Sequence, residues 1–101
     1  MNEMSQWDIP LPANYEMLTQ PQRRQVREEY IRLQDGKCHH CKQSLGGDPA
    51  KEITDKPITL ELFPPNFLKW PVHLHHNHDT GETIGAVHCY CNAVLWQYHG
   101  E

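Results

Sequence analysis

The chain has 101 residues, of which 38% are hydrophobic, with a formal net charge of -4 and a mean hydropathy of -0.76. That length allows one modest domain and excludes a second core of any size. So polar a composition buries little apolar area, so a disulfide or metal staple is expected, and the net charge argues weakly against an extended nucleic-acid surface.

No apolar run approaches the roughly 20 residues of a membrane span, so no membrane contact is expected. The opening MNEMSQWDIPLP lacks the basic and apolar regions of a signal peptide. A cytoplasmic setting follows, where cysteine pairs are read as metal ligands before they are read as disulfides.

Residues 1–18 read as an irregular arm, with Pro10 and Pro12 blocking regular structure. In TQPQRRQVREEYIRLQDGKC, Thr19 and Gln22 fit a capping box, and Pro21 is harmless in the first turn. Val26, Tyr30 and Leu33 fall on one stripe, with Ile31 beside it, and Gly36 is a left-handed stop. A helix over 20–35 is expected. Residues 42–57, holding Gly46, Gly47, Pro49 and Pro57, read as a loop.

ITLEL at 58–62 alternates and predicts a short strand, ended by Pro64 and Pro65. WPVHLH and TIGAVH predict the two strands of a hairpin over 70–88, turning at Thr80-Gly81-Glu82. NAVLWQYH at 92–99 predicts a short terminal helix, with Val94 or Leu95 and Tyr98 turned inward. From Arg23 to Lys42, six basic residues (Arg23, Arg24, Arg27, Arg32, Lys37, Lys42) face three acids. A solvated helix face is the commoner explanation of such a run, and a phosphate-holding stripe is the sharper one.

The chemistry is concentrated in two places. Cys38 and Cys41 form a CxxC just after the helix stop, a spacing that presents both thiolates to one tetrahedral ion. Their partners must come from VHCYCN, which offers Cys89 with Cys91, or His88 with Cys91. The second pair repeats the spacing of the first and is preferred, leaving Cys89 a spare thiol and His39 and His40 as knuckle tips. Zinc knuckles at 38–41 and 88–91 would then staple the thin core.

The remaining group is His73, His75, His76, Asn77, His78 and Asn92. Strand alternation sets His73 and His75 on one face, and leaving the strand before the turn lets His75 and His76 converge. Four histidines in six residues, with an Asn after a zinc knuckle, favour function over ordinary surface or core histidines. Asn77 is a candidate turn residue.

HHNHDTGETIGAVHCYCN, preceded by the CxxC, resembles the HNH nucleases of the ββα-metal superfamily, and within them the recombination endonuclease VII branch of many phages. That branch reads Asp-His-x-His, a Thr-Gly turn, an Arg-Gly strand and CxxCN. The resemblance covers about residues 36–95. It sets His75 at the Asp position, His76 at the catalytic histidine, His78 at the second histidine and Asn92 at the closing Asn, with His88 and Cys91 in place of the second CxxC. Ile84 stands where the branch has Arg, and only nine residues follow Asn92.

What the resemblance implies is an α+β fold, a small zinc-stapled treble-clef-like ββα-metal domain over 19–101. The implied activity is metal-dependent DNA endonuclease, in which His76 takes a proton from the attacking water. His75 and Asn92 would hold a divalent ion, magnesium or manganese, with nickel or cobalt tolerated because imidazole is softer than carboxylate. His78 would be a further ligand or a positioning group. The terminal helix would dock on duplex DNA while Arg23, Arg24, Arg27 and Lys37 hold phosphates. A monomer or weak dimer in a bacterial or phage-infected cell is expected. The competing expectation is a non-catalytic treble-clef zinc module that binds nucleic acid or protein.

Overall fold

Thr19 and Gln22 make the expected capping box. The Thr19 hydroxyl accepts from the Gln22 amide, and the Gln22 side chain accepts from the Thr19 amide. They open α1 (Gln20–Leu33) in a computed structural model that describes residues 9–100. The first eight residues of the expected arm, and Glu101, lie outside the described residues. The helix ends two residues before the expected limit. Asp35 and Gly36 both take left-handed backbone, with φ of 59° and 71°, so the stop begins one residue before the glycine.

β1 (Val72–His76) and β2 (Thr83–His88) form the antiparallel hairpin. Leu74 faces Ala86 and His75 faces Gly85, with an irregularity in register between His75 and His76. Asn77 is the turn residue: its side-chain oxygen accepts from the amides of Asp79 and Thr80, and its backbone pairs with Gly81 and Glu82. α3 (Cys89–His99) follows β2 directly, three residues earlier than expected. The segment 89–91 continues into the helix instead of closing a separate turn.

A two-stranded sheet leaves one edge of β2 to be satisfied by other means. Near its start, Thr83 donates its amide to the Ala13 carbonyl while its hydroxyl accepts from the Ala13 amide. Near its middle, the Gln34 side chain and the His39 amide bind the backbone of Ala86. The described part of the arm is thus docked, with a 3-10 turn at Tyr15–Met17.

Two apolar clusters result. Cys38, Leu45, Ile53, Ala86, Val87, Cys91 and Val94 form the larger one, and Ala13, Val26 and Leu74 the smaller, with Tyr30 packed against both. Leu33, expected on the stripe, is 58% exposed. At that end of α1 the polar Gln34 makes the contact with β2.

Three other expectations are corrected. ITLEL is no strand: residues Leu60–Leu62 form a 3-10 turn. Its surroundings are strapped to α3 by side chains, because Gln97 accepts from the Thr59 amide, Tyr98 donates to the Pro57 carbonyl and Tyr90 to that of Lys56. Those bonds satisfy the backbone a sheet would otherwise have had to satisfy. Tyr98 consequently lies on the surface, 45% exposed, while Val94 and Leu95 are buried. Within the expected loop at 42–57, α2 (Lys51–Thr54) forms and buries Ile53.

Candidate functional site

The closed site begins at the left-handed stop after α1. Cys38 donates its amide to the Gln43 carbonyl and accepts from Lys42, whose φ of 70° turns the chain back. This brings Cys38 and Cys41 to one side of a tight turn. The other two donors arise differently: His88 is the last residue of β2, and Cys91 lies in the first turn of α3. The matched two-residue spacing is therefore met by two unlike geometries. The ligand atoms of Cys38, Cys41, His88 and Cys91 all lie within 4.8 Å of one another.

The donor set fits one tetrahedral ion. His88 Nδ1 sits 3.5 Å from Cys41 Sγ and 3.7 Å from Cys91 Sγ. Bonds of about 2.3 Å to sulfur and 2.0 Å to nitrogen place such edges at about 3.5 Å. His88 Nε2 lies 2.8 Å from the Ser44 carbonyl, so its proton belongs there and Nδ1 is left with a lone pair for a metal. The group could hold a structural metal such as zinc.

One thiol of the group carries the negative charge and a neighbour holds the proton. Cys38 is held down to about 3, first by the hydrogen bond from Cys91 and, against burial, by the backbone amides of Cys41, His88 and His40. Cys91, which supplies that proton, is raised correspondingly. Cys89 stays outside the group, its thiol 3.8 Å from the Leu68 carbonyl and raised by burial. His39 is exposed and His40 half-buried.

The open constellation is divided. A broad cleft is lined by Tyr15, Arg23, Arg24 and Arg27, by Phe67, Trp70 and His73, and by His76, His78 and Asn92. The imidazole paired with Asn92 is His73, whose Nδ1 is 3.1 Å from the Asn92 amide nitrogen and whose ring meets Phe67 edge to face. His75, expected beside Asn92 as a cation ligand, is instead 3% exposed and does not line the cleft. Along β1, Val72, His73, Leu74 and His76 line the opening, whereas the His75 imidazole is buried.

His76 does reach it. Its ring stacks on Tyr15 with centroids 3.8 Å apart, and His78 lies 4.8 Å away. Burial, the largest influence, holds His76 below the usual histidine value, and the same holds for His73. Both are neutral near pH 7.

The basic residues separate as well. Arg23 lies over the Tyr15 ring at 3.8 Å and donates to the Tyr15 carbonyl through Nε and Nη2, so it is partly committed to holding the arm. Arg24 pairs with Glu28 at 3.5 Å. Arg27 makes no ion pair among the described residues and its charge acts on His73. Lys37 is not in the cleft; its backbone bridges to Ser44 beside the cysteine turn.

Among the described residues Glu28 is the one carboxylate lining the cleft, and Arg24 engages it. The Cys/His group is the only set of three or more His, Cys, Asp or Glu ligand atoms gathered together among the described residues. The cleft residues thus do not fit the catalytic cation implied by the resemblance. Their chemistry suits an anion: cationic and neutral donors around a neutral imidazole.

Tyr15, Phe67 and Trp70 carried no signal in the sequence, since aromatic residues in proline-rich segments have no diagnostic spacing. Compared with protein families, curated proteins and solved structures, the chain matches none. Among the described residues no helix is long and apolar enough to cross a membrane.

Proposed function

We propose that the chain is a DNA endonuclease with an HNH-like arrangement, a treble-clef-like domain with a structural zinc that hydrolyses phosphodiester bonds at a histidine-lined cleft. One observation carries the reading most: a neutral, half-buried imidazole, His76, opens into the same cleft as Arg27, His78 and Asn92. His76 Nδ1 lies 3.5 Å from the Leu74 carbonyl, a long contact that favours the proton there and leaves Nε2 to accept one. In the proposed reaction His76 takes a proton from water as its oxygen bonds to phosphorus, and the bond to the leaving 3′ oxygen breaks, that oxygen taking a proton from a solvent water. Arg27, with the free side of Arg23, offsets the charge developing on the phosphoryl oxygens.

His78 is exposed within reach of the same phosphate and serves as a positioning group. The helix–turn–hairpin–helix order around the Cys/His group supports the treble-clef description, and three thiolates with one imidazole suit zinc. A second reading, a non-catalytic zinc module that binds nucleic acid or protein, is favoured by one observation: among the described residues the cleft offers no carboxylate that is not already paired.

Supercoiled plasmid separates the two. Incubated with the protein and magnesium, manganese, nickel or cobalt in turn, and with none, it becomes nicked or linear on the nuclease reading. Plasmid that is retarded on a gel yet stays supercoiled under every condition supports the binding module.

A further inference from the structure

Between the 3-10 turn at Leu60–Leu62 and β1, the chain displays an aromatic group that the nuclease reading leaves unused. Trp70 is 65% exposed and lines the cleft, a poor position for a large apolar ring in a chain with so little core. The Lys69 ammonium lies 5.4 Å from the centre of its ring. Phe67, which lines the same cleft, packs on Phe63 at 4.8 Å and on His73 at 4.7 Å, so this side of the cleft is built and not loose. His73 in turn feels the charge of Arg27 from α1. The cleft therefore joins an exposed indole with Arg27, and Lys69 lies over the indole ring; neither cation has an acidic partner among the described residues.

That pairing has a specific ligand chemistry. A B-form duplex offers phosphates and base edges, but its base faces are stacked on one another inside the helix. An indole gains nothing from it beyond incidental contact. An unpaired nucleotide offers both a phosphate and a free π-face, and proteins that hold single strands combine cations along the backbone with aromatic platforms for the bases.

We propose that Trp70, flanked by Lys69 and sharing its cleft with Phe67, is a stacking subsite for an unpaired DNA base, with the neighbouring phosphate on Arg27. The cleft then takes single-stranded DNA in preference to the duplex expected from the sequence. The proposal rests on the nuclease reading only for DNA as the polymer. Stacking and cleavage are separate properties, and each is measured without the other.

The test is fluorescence anisotropy with end-labelled probes of equal length and no added divalent metal: oligo-dT, the same backbone lacking bases, duplex DNA and oligo-U. Wild-type protein should bind oligo-dT at least about fivefold more tightly than the base-free strand, the contribution of one stacked base. Trp70→Ala should remove that difference and leave duplex binding within about twofold, whereas Trp70→Phe should keep most of it. Zinc content and thermal unfolding, measured on each variant, report the fold.

Equal wild-type binding of oligo-dT and the base-free strand overturns the subsite without any variant. So does a Trp70→Ala protein that keeps the preference. Tighter binding of oligo-U than oligo-dT contradicts DNA as the ligand. Loss of the base preference in Trp70→Ala with plasmid cleavage absent from wild type would uphold the subsite and sink the nuclease; cleavage without base preference would do the reverse.

Discussion

Tyr15 and His76 lie ring to ring, their centroids 3.8 Å apart and their planes 5° from parallel. Arg23 closes the far side of Tyr15 at 3.8 Å, so an arm residue holds the proposed base on one side and a cleft cation on the other. Tyr15→Ala should destabilise the protein by about 1–2 kcal/mol through the lost aromatic and cation–π contacts. Tyr15→Phe, which keeps the ring, should stay within about 0.5 kcal/mol of wild type. Urea denaturation checks both, and equal loss in the two variants would show that the hydroxyl, not the stack, matters.

A second consequence concerns pH. His73 and His76 are both held below the ordinary value of 6.5, chiefly by burial. A depressed folded value means the unfolded chain binds protons first as the solution is acidified. Their contribution to stability is therefore complete above pH 6.5 and is lost as pH falls through the lower folded values. Imidazole proton shifts followed by NMR should show both rings titrating below 6.5. The His76→Gln protein should lose less stability than wild type between pH 7 and 5. A steeper loss in the variant would contradict the assigned direction.

The metal centre predicts a pattern among the cysteines. Cys38→Ala, Cys41→Ala, Cys91→Ala and His88→Ala should each lose bound zinc, about one ion per chain in wild type, and unfold. Structural zinc in small domains contributes about 10–16 kcal/mol at pH 7, far more than a domain this size has to spare. Cys89→Ser should retain both metal and fold, because its sulfur faces the Leu68 carbonyl. Metal analysis with circular dichroism decides it; zinc lost from Cys89→Ser and kept by His88→Ala would reverse the assignment.

The covered edge of β2 can be tested at Gln34. Its side-chain oxygen accepts from the Ala86 amide at 2.9 Å, and its nitrogen donates to the carbonyls of Ala86 at 2.9 Å and Lys37 at 2.7 Å. Ala86 is fully buried, and its carbonyl keeps the His39 amide when Gln34 is removed, but its amide loses this acceptor. Gln34→Ala should cost about 1–3 kcal/mol. Gly85→Ala should cost a similar amount, about 1–3 kcal/mol, because a Cβ there would lie 2.8 Å from the Gln34 oxygen and 2.9 Å from His39. Thermal unfolding measures both; a neutral Gln34→Ala would show that the edge is held by His39 alone.

What the sequence made legible follows the range of the interactions involved. The capping box of Thr19 and Gln22, the turn at Asn77 and the stop near Gly36 are local, and local chemistry decided them. The ligand set of Cys38, Cys41, His88 and Cys91 was legible because thiolate and imidazole spacing is constrained by a single ion. ITLEL was not, because its backbone is satisfied by side chains of a helix some forty residues away. Nor was the placing of His75 against His73. Both lie on one face by alternation, and which of them meets Asn92 depends on α3 beginning at Cys89. The docked arm, with Tyr15 over His76, depends on contacts with Gly81 and Thr83 that no pattern in residues 9–18 announces.

On the proposed function one chain carries two separable sites, a closed Cys/His group for zinc and an open hydrolytic cleft. That separation is tested most directly by measuring zinc content and plasmid cleavage on the same preparation of His76→Ala. Zinc should stay at the wild-type level and cleavage should fall by about a hundredfold to ten-thousandfold, the usual share of a general base. Cleavage within a few-fold of wild type, or loss of zinc together with activity, would contradict it.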